Sequence, residues 1–369
     1  MSKEKNQSLK KQAALDTLWF MPDYGSVLSA FALAKTVESC GYDALLLNKP
    51  FRFWTDKDTD SQSAAGSFIY KNCQVAPVCY SSDDFMKIEN DSNVYIAGSH
   101  PLWSYALCGR EANFHYYFES VSDSKKKISY ATGFGGDYTG PYGEEKKLCI
   151  HYLKQFAGIS VGDYNDAEIM GQQLGIEPKV VLSPILMCDK SVFEKAAENA
   201  YAKRAETTDS FVVSYIKNVT LRKKELVLRG NEILAEKSSG PMRNFVDLGN
   251  FEKSSVKLGL ECSPNRTVED WLYYIIHSEF VMTDDFNAVC LAVLFNKPFV
   301  FMGSETDPCT RQVYATLYSL GIDERMVLAE DDFRVKEYLF RMPIRYGKVN
   351  KALEELREES ANWLKNYLS

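Results

Sequence analysis

The chain has 369 residues, with 43 lysines and arginines against 50 aspartates and glutamates and a formal net charge of -7. This length exceeds what one hydrophobic core usually fills, so we expect two domains. The acidic balance and the lack of a strongly basic segment argue against nucleic acid as a partner. No apolar run approaches the ~20 residues that a membrane-spanning helix needs.

The N-terminal segment and the cysteines are typical of a cytoplasmic protein. Residues 1–16 are rich in lysine but lack the apolar core and the small-residue cleavage site of a secretory signal. The nine cysteines are scattered without a Cys-x-x-Cys pair, which is typical of reduced core residues. We therefore predict a flexible N-terminus over residues 1–15 and a cytoplasmic location.

Strand and helix patterns alternate along the first half of the chain. An apolar strand at 18–21, a turn at 22–26, a helix that ends before Gly41 and a strand at 44–47 predict a β-α-β unit. Further apolar segments predict more strands, at residues 93–99, 127–132, 156–161 and 179–186. We expect all these strands in one sheet.

A polar helix predicted over 191–209 connects this sheet to a second set of strands, and we place the domain boundary near residue 206. The second set is predicted at residues 210–217, 256–261, 279–283 and 298–302. Residues 349–368 repeat apolar side chains at helical spacing, so they predict an amphipathic helix that packs back on the N-terminal domain. Trp363 and Leu364 should be buried there.

The predicted architecture is α/β, with two Rossmann-like doubly wound domains over 16–205 and 206–345 and a closing C-terminal helix over 346–369. Alternating strands and helices favour parallel sheets covered by helices. Ligands bind such sheets at the carboxyl ends of the strands, so we expect the site in the cleft between the domains.

Five segments, in order, resemble motifs of the polysaccharide pyruvyltransferase family. They are DYGSVLSAFALAKTVESCGYDALLLN (23–48), YIAGSHPLW (95–103), KKKISYATGFG (125–135), GISVGDYND (158–166) and VMTDDFNAVCLAVLFNKPFV (281–300). The resemblance implies a glycosyltransferase-B-like fold. It also implies transfer of pyruvate from phosphoenolpyruvate to sugars of surface polysaccharides, with no cofactor.

The chain departs from the family pattern at four polar positions. Gly162 replaces the Arg of Ser-Val-Arg-Glu, and Asn287 replaces the His of Ser-Phe-His-Gly. Asp285 stands where relatives carry Ser or Arg, and His100 replaces the Asp of Gly-Ser-Asp-Gln. Asn287 cannot exchange protons near neutral pH. The lost arginine and the gained carboxylate predict weak binding of phosphoenolpyruvate, a trianion.

Two residues at the ends of predicted strands are the candidate catalytic groups. His100 is the proton-transferring group, because an unperturbed imidazole titrates near about 6.5. Asp285 orients or deprotonates an acceptor hydroxyl. The candidate donor-binding residues are Thr283, Asp284, Phe286, Asn287 and Arg311, and the candidate acceptor-binding residues are Asp23, Tyr24, Gly25, Ser99 and Trp103.

The two adjacent aspartates have a simpler role as well. Thr283, Asp284 or Asp285 should cap the helix that begins near Phe286, which leaves the second aspartate free to face the cleft. Adjacent carboxylates at a helix start rarely converge on one ion, so we predict no metal.

Two functions remain open. The first is a transferase for pyruvyl or glycosyl groups, which acts on a surface-glycan or sugar precursor with phosphoenolpyruvate or an activated sugar as donor. The second is a non-catalytic glycan- or partner-binding relative that has lost the family's Arg and His. Without a transmembrane segment, association with membrane-linked glycan intermediates would be peripheral.

Overall fold

The computed structural model describes residues 11–21, 23–48, 61–79, 92–110, 114–200, 211–236, 244–248 and 267–369. Within these ranges the chain forms two five-stranded β-sheets and a separate two-stranded sheet. Their strand pairs are parallel. The predicted α/β class is therefore confirmed.

The first sheet lies in the first half of the chain, the described residues between 11 and 200, and the second half begins at residue 211. The first sheet has the strand order β3-β2-β1-β4-β5. Its strands cover Gln12–Asp16 (β1), Asp43–Asn48 (β2), Gln74–Val78 (β3), Val94–Gly98 (β4) and Lys126–Tyr130 (β5). The α-helices of this half cover Tyr24–Ser39 (α1), Ala64–Asn72 (α2), Tyr105–Cys108 (α3), Gly143–Leu153 (α4), Tyr164–Ile169 (α5), Pro184–Met187 (α6) and Lys190–Ala197 (α7). The sequence had not predicted β3.

The first strand begins earlier than the sequence predicted. Because β1 ends at Asp16, the strand predicted over 18–21 is wrong. The flexible segment predicted over 1–15 is too long, because it overlaps β1, which begins at Gln12. Trp19 instead lies in a buried turn, where its indole N–H donates to the Leu47 carbonyl at 2.9 Å. A short apolar run carries no periodicity that distinguishes a buried turn from a buried strand.

Two predicted strands of this half form their own small sheet. β6 covers only Ser160–Val161 and pairs with β7, Lys179–Val180. A single bridge between Ile128 and Gly158 joins this pair to β5, so the prediction of one continuous sheet is wrong. The segment after β7 turns helical at Pro184, since proline suits the first turn of a helix and cannot donate to a strand ladder.

The second sheet has the strand order β12-β11-β10-β8-β9. Its strands cover Phe211–Tyr215 (β8), Asn244–Asp247 (β9), Phe280–Thr283 (β10), Phe299–Gly303 (β11) and Met326–Leu328 (β12). The α-helices of this half cover Leu221–Glu236 (α8), Val268–His277 (α9), Phe286–Leu294 (α10), Pro308–Ser319 (α11), Phe333–Lys336 (α12) and Tyr346–Leu368 (α13). The predicted strand 256–261 and the predicted boundary at 206 lie outside the described residues.

The C-terminal helix α13 contacts both halves. At its start the Tyr346 hydroxyl donates to the Lys297 carbonyl at 2.5 Å, and near its end Ser360 Oγ accepts from Leu182 N at 3.0 Å. Leu364 is fully buried as predicted, whereas Trp363 is only partly buried and packs its ring near Tyr130. The prediction of a buried Trp363 is therefore wrong, because its side chain is only partly covered by the core.

Neighbouring residues of the second sheet face different cores. Val213 belongs to a large apolar core that extends into the first half, while Val212 belongs to a smaller core that includes Leu226 of α8. A strand covered on both faces is what a parallel sheet requires. Within the described ranges, none of the helices combines the length and the apolar composition that a bilayer-spanning helix needs.

Candidate active site

The turns that follow β1 and β10 meet in the cleft between the two large sheets. They lead into α1 and α10, and Gly25 in the first turn of α1 lies against Asn287 in the first turn of α10. A Cβ at Gly25 would lie 2.7 Å from Asn287 Nδ2 and 3.0 Å from Asp285 Oδ1. Gly25 therefore allows the two helix starts to pack together, and this packing accounts for the residue better than the predicted acceptor contact.

A cavity of about 180 Å³, which we call the cleft cavity, opens at this junction. Polar side chains from both halves line it, including Ser26, Ser29, Ser99, His100, Lys217, Asp285 and Asn287. The predicted candidates Ser99, His100, Asp285, Phe286 and Asn287 thus come together at one cavity. They do so because the ends of parallel strands in both sheets point toward the cleft.

A lysine that the sequence reasoning missed lies between two carboxylates, of which Asp285 lines this cavity. Lys217 Nζ is 3.4 Å from Asp23 Oδ1 and 3.3 Å from Asp285 Oδ2, so it links the first half to the second. Its side chain is 36% exposed and lines the cavity. The position two residues after β8 was the available signal, because polar residues just beyond a strand end belong to the binding edge of the sheet.

The charges of this group depend on one another. Burial alone would raise the pKa of Asp23, but the Lys217 ammonium and the hydrogen bonds from Ser26 bring that pKa below its ordinary value. Burial raises the pKa of Asp285, although Lys217 opposes the shift. For Lys217, burial is outweighed by Asp285 and Asp23, which together raise its pKa. The lysine is therefore charged at neutral pH.

His100 lies on the first-sheet side of the cavity and is 6% exposed. Its Nδ1 is hydrogen-bonded to Thr17 Oγ1 at 2.8 Å, and within the described part of the chain its Nε2 has no hydrogen-bond partner. Burial lowers the pKa of His100 to about 4, and the Asp23 carboxylate opposes this shift only in part. The expectation of ordinary titration is therefore wrong, and a neutral imidazole can accept a proton but is a poor acid.

The two adjacent aspartates have different partners. Asp285 caps α10 by accepting from Ala288 N at 2.8 Å, and the same side chain lines the cavity. Asp284 accepts from the backbone N–H groups of Lys217 and Asn218 and from Lys223 Nζ at 2.7 Å. The second aspartate therefore does not face the cleft freely as predicted, because a buried ion pair and two amides hold it.

Several predicted donor and acceptor residues lie in the core instead. Thr283 is fully buried and donates from Oγ1 to the Tyr215 carbonyl. Tyr24 is stacked on Trp271, and Trp103 is stacked on Tyr117 with its indole N–H bonded to a backbone carbonyl. The structure therefore does not support sugar stacking on Trp103, because its ring is fully buried.

Arg311 does not line the cavity either. It lies on α11, where its guanidinium donates to Asp137 Oδ1 at 2.6 Å and to the Gly136 carbonyl at 3.3 Å. Asn165 Nδ2 donates to the same carbonyl at 2.8 Å. Arg311 thus ties the second half to the loop after β5, and the predicted donor contact has no support in this arrangement.

That loop is also held by a pair of buried carboxylates. Asp163 caps α5 by accepting from Asp166 N, and Asp166 accepts from Phe134 N at 3.0 Å. Burial, and then the neighbouring Asp163 charge, raises the pKa of Asp166 to about 7, although backbone N–H groups of the loop oppose the shift. A group whose pKa rises on folding gives its full stabilisation below its ordinary value of 3.8 and loses it as pH rises through about 7.

Replacing Asp163 by asparagine should therefore reduce the loss of stability at higher pH. The amide keeps the cap to Asp166 N but removes the like charge, so the pKa of Asp166 falls and the carboxylate ionises at smaller cost. Denaturant unfolding at about pH 5 and about pH 8 should show a smaller difference for Asp163→Asn than for wild type. Asp189→Asn, which changes the exposed cap of α7, is the matched control and should keep the wild-type difference. Equal pH dependence in wild type and Asp163→Asn would contradict the coupling.

Solved structures with the same arrangement of sheets cover nearly the whole chain at low identity. MnaA of S. aureus with UDP matches with a TM-score of 0.54 and 12% identity, over 98% of this chain and 97% of its own. The UDP-GlcNAc 2-epimerase of Neisseria meningitidis bound to UDP-GlcNAc has the same score and identity, over 98% and 99%. UGT73P12 of Glycyrrhiza uralensis, complexed with glycyrrhetinic acid 3-O-monoglucuronide, matches at 0.51 and 10%, over 95% and 91%.

This likeness defines the fold class. The chain has the GT-B fold of glycosyltransferases and epimerases with two Rossmann-like domains, as predicted. No curated protein sequence matches the chain. The chain belongs to the polysaccharide pyruvyl transferase family, whose model matches residues 23–306. The family assignment agrees with the resemblance seen in the sequence motifs and indicates a glycan-modifying transferase.

Proposed function

We propose that the chain is a cytoplasmic transferase that moves a glycosyl or pyruvyl group onto a hydroxyl of a sugar or surface-glycan precursor in the cleft cavity. One observation carries the proposal: a neutral buried imidazole and an ammonium between two carboxylates line the same cavity. Such a set can bind hydroxyls, take up a proton and stabilise a departing anion.

Each group has a role in that reaction. The acceptor oxygen forms a bond to the donor carbon, its proton passes to Nε2 of His100, and the bond to the phosphate-bearing leaving group breaks. Lys217 stabilises the negative charge on the leaving group. Asp285, at the start of α10, accepts a hydrogen bond from a neighbouring hydroxyl of the acceptor sugar and so orients the attacking oxygen.

The low pKa of His100 favours glycosyl over pyruvyl transfer. Glycosyl transfer needs a base for the acceptor hydroxyl, and the unprotonated imidazole can take up that proton, although its lowered pKa makes it a weak base. Pyruvyl transfer also needs an acid that protonates the methylene carbon of phosphoenolpyruvate. His100 is unprotonated at neutral pH and Lys217 has a raised pKa, so both are weak acids there.

A second candidate function is glycan binding without catalysis. Gly162 and Asn287 line the cavity where the family pattern places Arg and His. These exchanges remove a cation and a proton-transferring group, while the remaining carboxylates and hydroxyls can still hold a polyol.

Thermal unfolding with candidate donors tests the proposal. A ligand at about 100 times its Kd stabilises a fold by ~2.7 kcal/mol, so binding is readily measured. Nucleotide sugars should raise the melting temperature, and Lys217→Met should abolish that rise. Phosphoenolpyruvate should bind weakly, because the single ammonium of Lys217 faces the two carboxylates of Asp23 and Asp285, and the whole charge of this small trianion would lie beside them.

The outcomes separate the two functions. Micromolar affinity for phosphoenolpyruvate by calorimetry would overturn the electrostatic argument and favour pyruvyl transfer. A rise in melting temperature with glycans, but with no donor bound and no donor consumed, would favour the non-catalytic candidate.

A further inference from the structure

A second cavity lies beside the cleft cavity. Its volume is about 320 Å³, and Gly162 and Ser183 line both cavities. The cleft cavity alone, at about 180 Å³, is smaller than the ~300 to 1,000 Å³ typical of sites that enclose a small ligand. A substrate larger than this cavity would therefore extend into a neighbouring space.

Gly162 lies at the boundary between the two cavities and places no side chain there. A Cβ at this position would lie 3.5 Å from both the Ala131 carbonyl oxygen and Gln312 Nε2, which are ordinary contacts, and its backbone is not left-handed. The backbone therefore does not require glycine here. What glycine provides is an empty space at the boundary that a longer side chain would fill.

The lining of the second cavity suits a saccharide. Tyr164 at its edge is 69% exposed and offers an aromatic face, while Val181 and Leu356 supply apolar surface. Lys179 and Glu359 form an ion pair at 3.2 Å whose side chains are about half exposed. An apolar surface with a few convergent polar groups is typical of small-ligand sites, and tyrosine combines an apolar ring with a polar tip.

Hydroxyl groups add to this lining. Ser183, Thr316 and Ser319 contribute them, and each can both donate and accept hydrogen bonds, as sugar hydroxyls do. These residues come from the β7–α6 connection and from α11, so the second cavity, like the first, is built from both halves of the chain.

We propose that the second cavity is an acceptor subsite, and that Gly162 makes the chain specific for an oligosaccharide. The reacting sugar occupies the cleft cavity, and the next sugar lies beyond Gly162 against Tyr164. This inference rests on the proposed function, and it names the acceptor as a glycan of at least two sugars.

Binding of short saccharides tests the subsite. The probes are mono-, di- and trisaccharides of glucose, galactose, mannose and N-acetylglucosamine, titrated against the full chain. Wild type should bind at least one longer saccharide ~10-fold more tightly than its monosaccharide. Gly162→Leu should remove this preference, because the leucine side chain would fill the space at the boundary between the two cavities. Tyr164→Ala should weaken the preference, because it removes the aromatic face of the second cavity. Gly347→Leu, at an exposed glycine where an added Cβ would have nothing within 4 Å, is the matched control and should keep it.

Each other result has a defined meaning. Equal affinity for mono- and trisaccharides, or no saccharide binding by wild type, would overturn the subsite. If Gly162→Leu fails to fold, Tyr164→Ala at the surface decides the question, because its side chain supports little of the core. A length preference without any turnover would support the subsite and count against the transferase function. Turnover that is equally fast with monosaccharides would do the reverse.

Discussion

Replacing His100 by asparagine should lower turnover by ~100- to 10,000-fold, which is the range that a general base contributes. The asparagine amide can still reach Thr17, whose hydroxyl is hydrogen-bonded to the imidazole Nδ1 in the wild type. It has no atom at the position of Nε2, the buried nitrogen that has no hydrogen-bond partner among the described residues, and His100 is a lining residue of the cavity. The proton acceptor is therefore lost while the surrounding contacts are kept. Initial rates with a donor and acceptor identified by binding provide the measurement.

The pH dependence gives an independent check on the same residue. Because burial lowers the pKa of His100 to about 4, turnover should be insensitive to this group near neutral pH and should fall as pH drops through about 4. His151→Asn changes an exposed histidine of α4 and should leave both rate and profile unchanged. Full activity of His100→Asn would refute the assignment of the base, and an inflection near about 6.5 that depends on His100 would refute its burial.

Replacing Lys223 by methionine should lower the free energy of unfolding by ~3 to 5 kcal/mol, because it leaves a buried carboxylate without its cation. Lys223 Nζ lies 2.7 Å from Asp284 Oδ2, and the two side chains are only 5% and 2% exposed. Methionine fills most of the space of the lysine stem, so the loss reports mainly on the charge. Denaturant unfolding at neutral pH measures the change.

Two controls isolate the buried pair. Lys147→Met breaks an exposed pair with Glu144 and should change stability by less than ~1 kcal/mol. Combining Lys223→Met with Asp284→Asn removes both charges, so this double variant should be more stable than Lys223→Met alone. A small effect of Lys223→Met, similar to that of Lys147→Met, would mean that the pair is solvated in solution.

The Asp284 pair also bears on the cleft. Asp284 accepts from the backbone N–H groups of Lys217 and Asn218 at 2.7 and 3.0 Å, so it fixes the loop that carries the Lys217 side chain. Lys223→Met should therefore weaken donor binding as well as stability. The two adjacent aspartates thus have different roles. Asp284 holds the loop that carries Lys217, and Asp285 caps α10 and lines the cleft cavity.

The sequence by itself determined the parts of the protein that depend on local pattern. Apolar runs of strand length between helical repeats predicted the parallel sheets, and strand ends predicted where His100, Asp285 and Asn287 would meet. Carboxyl ends of parallel strands share one edge, so position along a strand is enough to place these residues. The five motifs, in the family's order along the chain, predicted the family, because a motif is itself a local pattern of residues.

Only the tertiary structure decided which side chains are buried and what they contact. Lys217 reaches Asp23 across 194 positions of the sequence, and Asp284 is matched to Lys223 across 61 positions. Neither pairing has a local signature. The same holds for the low pKa of His100 and for the covered rings of Tyr24 and Trp103. Desolvation and charge pairing depend on distances between segments that are far apart in the chain, and those distances exist only once the two sheets have packed together.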